Sequence, residues 1–168
     1  MDKIEVKAQL AIDEAGVITG IAWPYGAGPD AVGDLIQKGA FNLAVSDLPM
    51  LFQHDPADLI GTWEQVTETE EGLSVRGRLH LAESARARSV RGLVQGGLIS
   101  GLSIGFRTKE AARQGGNRVI SKLDLFEISL VRNPSHPKAR VTSAKNFNSA
   151  QAIAAAITRA AAQIRKVA

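Results

Sequence analysis

Apolar residues alternate with polar ones over residues 3–13 and 16–23, in runs rich in Val and Ile. That spacing predicts two strands, joined by a turn at Glu14-Ala15-Gly16. Residues 26–33 are rich in turn formers, and residues 34–46 place Leu35, Ile36, Ala40, Leu43 and Ala44 on what a helix would make one stripe. Further short strands are expected at 49–53, 60–68 and 72–81. A helix follows over 82–95, with Ala82, Ala85, Val90, Leu93 and Val94 inward, Arg86, Arg88 and Arg91 outward, and Gly96-Gly97 as its stop. Residues 98–109 and 118–131 alternate again, separated by the polar loop Arg113-Gln114-Gly115-Gly116-Asn117.

In the second of these runs, strict alternation puts Leu123, Leu125, Glu127 and Ser129 on one face and Asp124, Phe126, Ile128 and Leu130 on the other. Two prolines in Asn133-Pro134-Ser135-His136-Pro137 then end regular structure by removing donors and restricting their neighbours. About seven short strands with two helices predict a mainly β, α+β domain. Its expected form is a closed or nearly closed β-barrel with flanking helices, spanning residues 1–141.

The tail differs in kind. In residues 142–168 a polar linker precedes an alanine-rich segment in which Phe147, Ala150, Ile153, Ile157, Ala161, Ile164 and Val167 recur at three- and four-residue spacing. This predicts an appended amphipathic C-terminal helix, docked either on its own domain or on a partner.

Composition narrows the class. With 168 residues, 45% hydrophobic and 22% charged, the chain suits one globular domain with a sizeable core. The net charge of +3 is a property of the tail, which holds four of the 20 basic residues and no acid. The remainder carries 16 basic against 17 acidic groups. A nearly neutral body argues against a dedicated nucleic-acid binder, which needs a concentrated basic surface. The absence of cysteine excludes disulfides and a thiolate nucleophile and fits a reducing compartment. Met1-Asp2-Lys3-Ile4-Glu5 lacks the layout of a signal peptide, and no apolar run approaches the ~20 residues that span a bilayer. Synthesis in the cytoplasm with no membrane partner is expected.

Candidate chemistry is sparse. The three histidines, His54, His80 and His136, show no metal-ligand spacing, although Asp55 and Asp58 lie near His54; no metal or cofactor is expected. Gly101-Leu102-Ser103-Ile104-Gly105 formally matches a G-x-S-x-G nucleophile elbow. That elbow requires a helix after the Ser, whereas Phe106-Arg107-Thr108 continues a strand pattern. An esterase trio of Ser103, Asp124 and His136 would follow from the elbow reading. Alternatively, glycines on either side of a strand serine admit a peptide backbone and aim N–H groups at an oxyanion, or they merely relieve crowding in a barrel. His54, at a strand end stiffened by Asp55-Pro56, suits a fixed imidazole or a plain polar turn. Glu127, in an otherwise apolar strand, needs a partner such as an imidazole or Arg107.

Taken together, several stretches carry a resemblance. They are Gly20-Ile21-Ala22, Lys38-Gly39-Ala40-Phe41, Leu51-Phe52-Gln53-His54-Asp55, Ile60-Gly61 and Glu71-Gly72-Leu73-Ser74-Val75. After them come Gly97-Leu98-Ile99-Ser100-Gly101-Leu102-Ser103-Ile104-Gly105-Phe106, Glu127-Ile128-Ser129-Leu130-Val131 and Asn133-Pro134. In this order, over residues 16–141, they resemble the prohead maturation proteases of tailed bacteriophages, a family distantly akin to the herpesvirus assembly proteases.

The resemblance implies a herpesvirus-protease-like barrel and a serine endopeptidase with His54 as general base and Ser103 as nucleophile. Glu127 matches the third member, with His136 and His80 in reserve because the herpesvirus relatives use a second His. Ile104 and Gly105 are candidate oxyanion or substrate contacts, as is Arg132, although it departs from the family pattern, in which a smaller or uncharged residue is expected there. Implied substrates are scaffold segments, the major capsid protein and the protease itself, cut inside an assembling procapsid in the bacterial cytoplasm. The tail would bind scaffold, join copies into a homo-oligomer or be removed by self-cleavage. The non-enzymatic alternative is a capsid-assembly or scaffold module with a decayed site.

Overall fold

A computed structural model describes residues 13, 15–43 and 47–142. The expected first strand at 3–13, apart from its last residue, and the expected tail helix lie outside the described residues. Asp13 and Gly16 do form a turn: the Gly16 N–H donates to the Asp13 carbonyl at 3.0 Å, and Gly16 has a φ of 79°.

From there the chain runs β1 (Val17–Pro24), β2 (Asp34–Ile36), β3 (Phe41–Asn42), β4 (Leu48–Phe52) and β5 (Asp55–Glu68). It continues through β6 (Gly72–Leu79), α1 (Ala85–Gln95), β7 (Gly101–Gln114), β8 (Asn117–Val131) and β9 (Arg140–Thr142). Pairing proceeds β8-β4-β5-β6-β1-β9-β7 and returns from β7 to β8, closing a seven-stranded barrel. All pairs in the ring are antiparallel except β4 with β8. The seam between β7 and β9 is thin, a single register pair of Gly101 with Arg140. Inside sit Ile18, Met50, Trp63, Leu73, Leu102, Ile128 and Leu130, each almost wholly buried. Each such side chain contributes about 1.5–3 kcal/mol through removal from water.

Residues 34–46 do not form the expected helix. Gly33 and Gly39 both have positive φ and bracket a three-residue strand and a turn. β2 and β3 then add in parallel to the edge of β8, pairing Asp34 with Arg118 and Phe41 with Leu123. Of the expected stripe, Ile36 and Ala40 are buried, together with Phe41, but by two strands (and the turn between them) laid on a sheet. The Asp34 carboxylate, itself buried, accepts from Arg118 Nε at 2.8 Å and anchors the segment.

The second expected helix forms as α1, three residues later than its pattern suggested. Ser84 caps it, its hydroxyl accepting from the Ala87 N–H at 3.0 Å. Ala82 and Ala85 are therefore exposed, while Ala87 joins Val90 and Val94 on the buried face. Gly97, at φ 74°, ends it with bonds from the Gly97 N–H to Val94 O and from the Leu98 N–H to Leu93 O.

β8 departs from strict alternation near Ser121 and again near Phe126, and the second departure shapes the site. Its register against β7 shifts between the pairs Gly105–Glu127 and Phe106–Leu125, so Phe126 is an extra residue. Before this bulge Leu123 and Leu125 face the core; after it Ile128 and Leu130 do, and Glu127 and Ser129 turn to the outer face. The single-face grouping of Leu123, Leu125, Glu127 and Ser129 is corrected accordingly.

Candidate active site

The histidine of the implied pair sits on a two-residue hairpin. Phe52 and Asp55 pair across β4 and β5, leaving Gln53 and His54 as the turn, with φ of 55° and 62°. Positive φ at both central residues is what a type I′ turn requires. Neither residue is glycine, so each carries a steric cost of about 1–3 kcal/mol, and such costs gather where function demands them. Two bonds to β8 hold the turn. The Gln53 N–H donates to Leu130 O at 3.1 Å, and the His54 N–H donates to the Ser129 hydroxyl at 3.1 Å.

The bulge in β8 swings Glu127 outward to meet this turn. Its Oε1 lies 2.6 Å from His54 Nδ1, and its Oε2 accepts from the Ser129 hydroxyl at 2.6 Å. The Glu127 side chain is mostly covered at 13% exposure, whereas His54 is open at 42%. The hydrogen bond to Glu127 raises the His54 pKa above its usual 6.5, against the opposing effect of partial burial and with help from the carboxylate charge. With Nδ1 donating to the carboxylate, Nε2 keeps a lone pair and points away from it, as a general base needs.

Ser103 lies on β7 directly opposite Ser129. Leu102 and Leu130, the next pair along, fill the core, so Ser103 and Ser129 share the outer face with Glu127. Ser103 is only 3% exposed, and its Oγ stands 3.2 Å from Ser135 Oγ. No hydrogen bond joins Ser103 to His54 in this arrangement. His54 and Glu127 are thus brought together, and Ser103 is set on the same face one strand away with its hydroxyl turned toward the segment after β8.

The glycines flanking Ser103 do not leave open space for a peptide. A methyl group on Gly101 would meet Pro134 Cδ at 2.7 Å, and one on Gly105 would overlap the Glu127 carboxylate. The two positions are small so that the proline and the glutamate can lie across them. Of the implied oxyanion contacts, Ile104 turns its side chain inward. The Leu102 N–H donates to Ala139 O on the β9 side, so the alternation of a strand aims the Ile104 N–H the same way, past the end of β9. Arg132 is exposed immediately after β8.

The remaining candidates are occupied elsewhere. His136 is buried; its Nε2 donates to Gly28 O at 3.2 Å, its Nδ1 accepts from the Lys138 N–H at 3.2 Å, and its ring meets Trp23 edge-on at 4.9 Å. Burial, opposed by the bond to Gly28 and aided by nearby cations, lowers its pKa. His80 Nε2 pairs with Thr62 Oγ1 at 2.9 Å. Asp124 is held by Lys109 at 3.0 Å and Arg107 at 3.2 Å, so Asp124 and His136 do not assemble with Ser103 into the esterase trio. β7 also runs on to Gln114 after Ser103, without the helix an elbow requires. Among the described residues no three His, Asp or Glu side chains gather as a metal site.

Sequence reasoning missed Ser129 and Ser135. For Ser129 a signal existed, its place two residues after Glu127 on one strand. Ser135 carried none, because only the folded path of the segment after β8 brings it to Ser103.

Residues 2–153 match the family model of the caudovirus prohead serine protease. The chain is 34% identical over 163 residues to the capsid polyprotein of Pseudomonas phage PAJU2, covering 92% of this chain and 23% of that protein. It is 29% identical over 160 residues to the prohead protease of Enterobacteria phage HK97, covering 90% of this chain and 70% of that one. It thus spans about a quarter of the polyprotein it matches. Among solved structures it is similar to KSHV protease in complex with a hexapeptide phosphonate inhibitor. That match has a TM-score of 0.48 and 13% identity, over 74% of this chain and 63% of the other.

Proposed function

From the premise that the chain belongs to the caudovirus prohead serine protease family, we propose that it is a serine endopeptidase with Ser103 as nucleophile, His54 as general base and Glu127 as the group that orients the imidazole. The observation that carries this reading is the 2.6 Å bond between His54 Nδ1 and Glu127 Oε1, on the face that also bears Ser103. From β7 across β8 to the β4–β5 turn is two interstrand spacings, about 9.6 Å. The two side chains would have to reach toward each other to close that span to a hydrogen bond. One rotation about χ1 would carry the Ser103 hydroxyl from Ser135 toward His54 Nε2, and such tightening on substrate binding is common for catalytic hydrogen bonds.

In the reaction, His54 Nε2 takes the Ser103 proton as Oγ attacks the scissile carbonyl, and the imidazolium is stabilised by Glu127. His54 then protonates the leaving amine, and water repeats the sequence to release the acyl group. The Ile104 N–H, aimed past β9, is a fitting donor to the oxyanion. The proposed substrates are capsid protein, scaffold segments and the protease itself inside a procapsid. The part of the tail beyond β9, residues 143–168, is the proposed scaffold-binding part. Deleting it is expected to reduce incorporation into proheads while leaving cleavage of a free substrate intact; undiminished incorporation would remove that role.

The direct test is co-expression with the cognate capsid protein, read by the mass of the products. Ser103→Ala and His54→Ala are each expected to abolish processing, a loss on the order of 10⁶-fold for the nucleophile. Identical product masses from the wild type and Ser103→Ala would instead leave a non-enzymatic assembly module.

A further inference from the structure

Ser129 has no part in the bond-making steps, yet it touches both halves of the base. We propose that Ser129 is a positioning residue whose single hydroxyl sets the orientation and the tautomer of the His54 imidazole; this rests on the roles proposed for His54 and Glu127. A hydroxyl has one proton and two lone pairs. The His54 backbone N–H can only donate, and it donates to Ser129 Oγ at 3.1 Å. The one proton of Ser129 is then committed to Glu127 Oε2, 2.6 Å away. The Glu127 carboxylate has only lone pairs to offer its neighbours. The other oxygen, 2.6 Å from Nδ1, therefore acts as acceptor, the proton resides on Nδ1, and Nε2 is the free base.

The bonds form a closed ring, from the main chain of His54 through Ser129 and Glu127 to the side chain of His54. Both ends of the ring are anchored to one stiff strand, since Ser129 and Glu127 are separated by a single residue of β8. The same hydroxyl is one of the two ties that hold the strained Gln53-His54 turn, the other being the bond from Gln53 to Leu130. Ser129 is fully buried, so water does not replace its hydroxyl when it is removed. Packing alone would be served equally by alanine at this position; the two bonds would not.

The experiment uses the full chain in two forms. In a Ser103→Ala background, which does not cleave itself, ¹⁵N-resolved NMR of the His54 ring is expected to show the Nδ1–H tautomer with a strongly downfield Nδ1 proton. Adding Ser129→Ala is expected to abolish the downfield proton and mix the tautomers, whereas Ser129→Thr, which keeps the hydroxyl, preserves both. With Ser103 intact, Ser129→Ala is expected to lower kcat by about 10²-fold, the cost of a misplacement near 1 Å, with KM little changed. Imidazole resonances unmoved by Ser129→Ala overturn the proposal whatever the activity. So does equal loss of the tautomer in the Ala and Thr variants, which would make packing the cause. Moved resonances with unchanged cleavage would uphold the positioning and instead defeat the catalytic reading of His54 and Glu127.

Discussion

A single methyl group at position 105 should disable the site while sparing the fold. Glu127 lies flat across Gly105, and a Cβ built there overlaps its carboxylate oxygen and stands 2.8 Å from both Cδ and Cγ. Carbon contacts settle at about 3.5–4.0 Å, so the glutamate must retreat by roughly 1 Å or more. Its 2.6 Å bond to His54 is then stretched, because the backbone of the turn that carries the imidazole is tied to Ser129 and Leu130 and does not shift with the glutamate. A misplacement of that size costs about 10²-fold in rate. Full loss of an orienting carboxylate costs about 10⁴-fold, and kcat for Gly105→Ala is expected between these limits.

Stability should move little. Ala in a strand is favoured over Gly by about 0.5–1 kcal/mol. One charge-assisted hydrogen bond, worth about 1.5–3 kcal/mol when buried, is weakened here by the exposure of His54. Gly77→Ala is the control. There the added carbon meets the backbone carbonyl of Thr62 and lies 2.8 Å from the Trp63 ring, neither of which can swing aside, and about 1–3 kcal/mol or more should be lost. The assay pairs cleavage of a capsid-protein substrate with thermal unfolding of each variant. Gly105→Ala cleaving within about threefold of the wild type, or melting as low as Gly77→Ala, would refute the reasoning.

Two further outcomes are expected. In an NMR titration His54 should titrate above 6.5 and His136 below it. With His54 as the proposed general base, cleavage should rise with pH through the raised value. The linked stabilities have opposite signs: that from His54 is present below 6.5 and fades as pH climbs through the raised pKa, while that from His136 is present above 6.5 and is lost as pH falls through the lowered one. The reverse order of titration would contradict both environments. Separately, Ser135→Ala removes the hydroxyl that holds Ser103 Oγ at 3.2 Å and should speed labelling of Ser103 by a fluorophosphonate; an unchanged rate would mean that the contact does not restrain the nucleophile.

Six of the seven barrel strands were legible because each carries its own pattern, whereas β9 was not, since three residues after Pro137 carry too little pattern to announce a strand. The 82–95 helix was legible too, although its start was not, since the cap at Ser84 competes with Ala82 and Glu83 as equally good helix residues. Residues 34–46 misled because Leu35, Ile36 and Ala40 fit a helical stripe, and nothing local reveals that β8 offers an unpaired edge for two parallel strands. The bulge at Phe126 was invisible for a related reason. Alternation assumes an unbroken register, and an inserted residue that reverses the faces is set by the partner strand. His54, Ser103 and Glu127 could be named from the family pattern, whereas the hydroxyls of Ser129 and Ser135 become relevant only through pairing across β8 and the path of the segment after it.

Two hairpins of this barrel use the same kind of turn at different cost. β7 and β8 are joined by Gly115-Gly116, at φ 54° and 88°, where glycine enters the left-handed region without penalty. β4 and β5 are joined by Gln53-His54, at φ 55° and 62°, with two residues that pay for each of them. The Gly-Gly turn needs nothing beyond its own ladder. The Gln-His turn is tied to Leu130 and Ser129 of a third strand, and those ties lie beside the bulge that turns Glu127 outward. Glycine at either position would relieve the strain, and at position 54 it would remove the imidazole. A barrel whose only requirement was closure would use the cheap turn twice, so the strain at residues 53 and 54 is best explained by what that turn presents to Glu127.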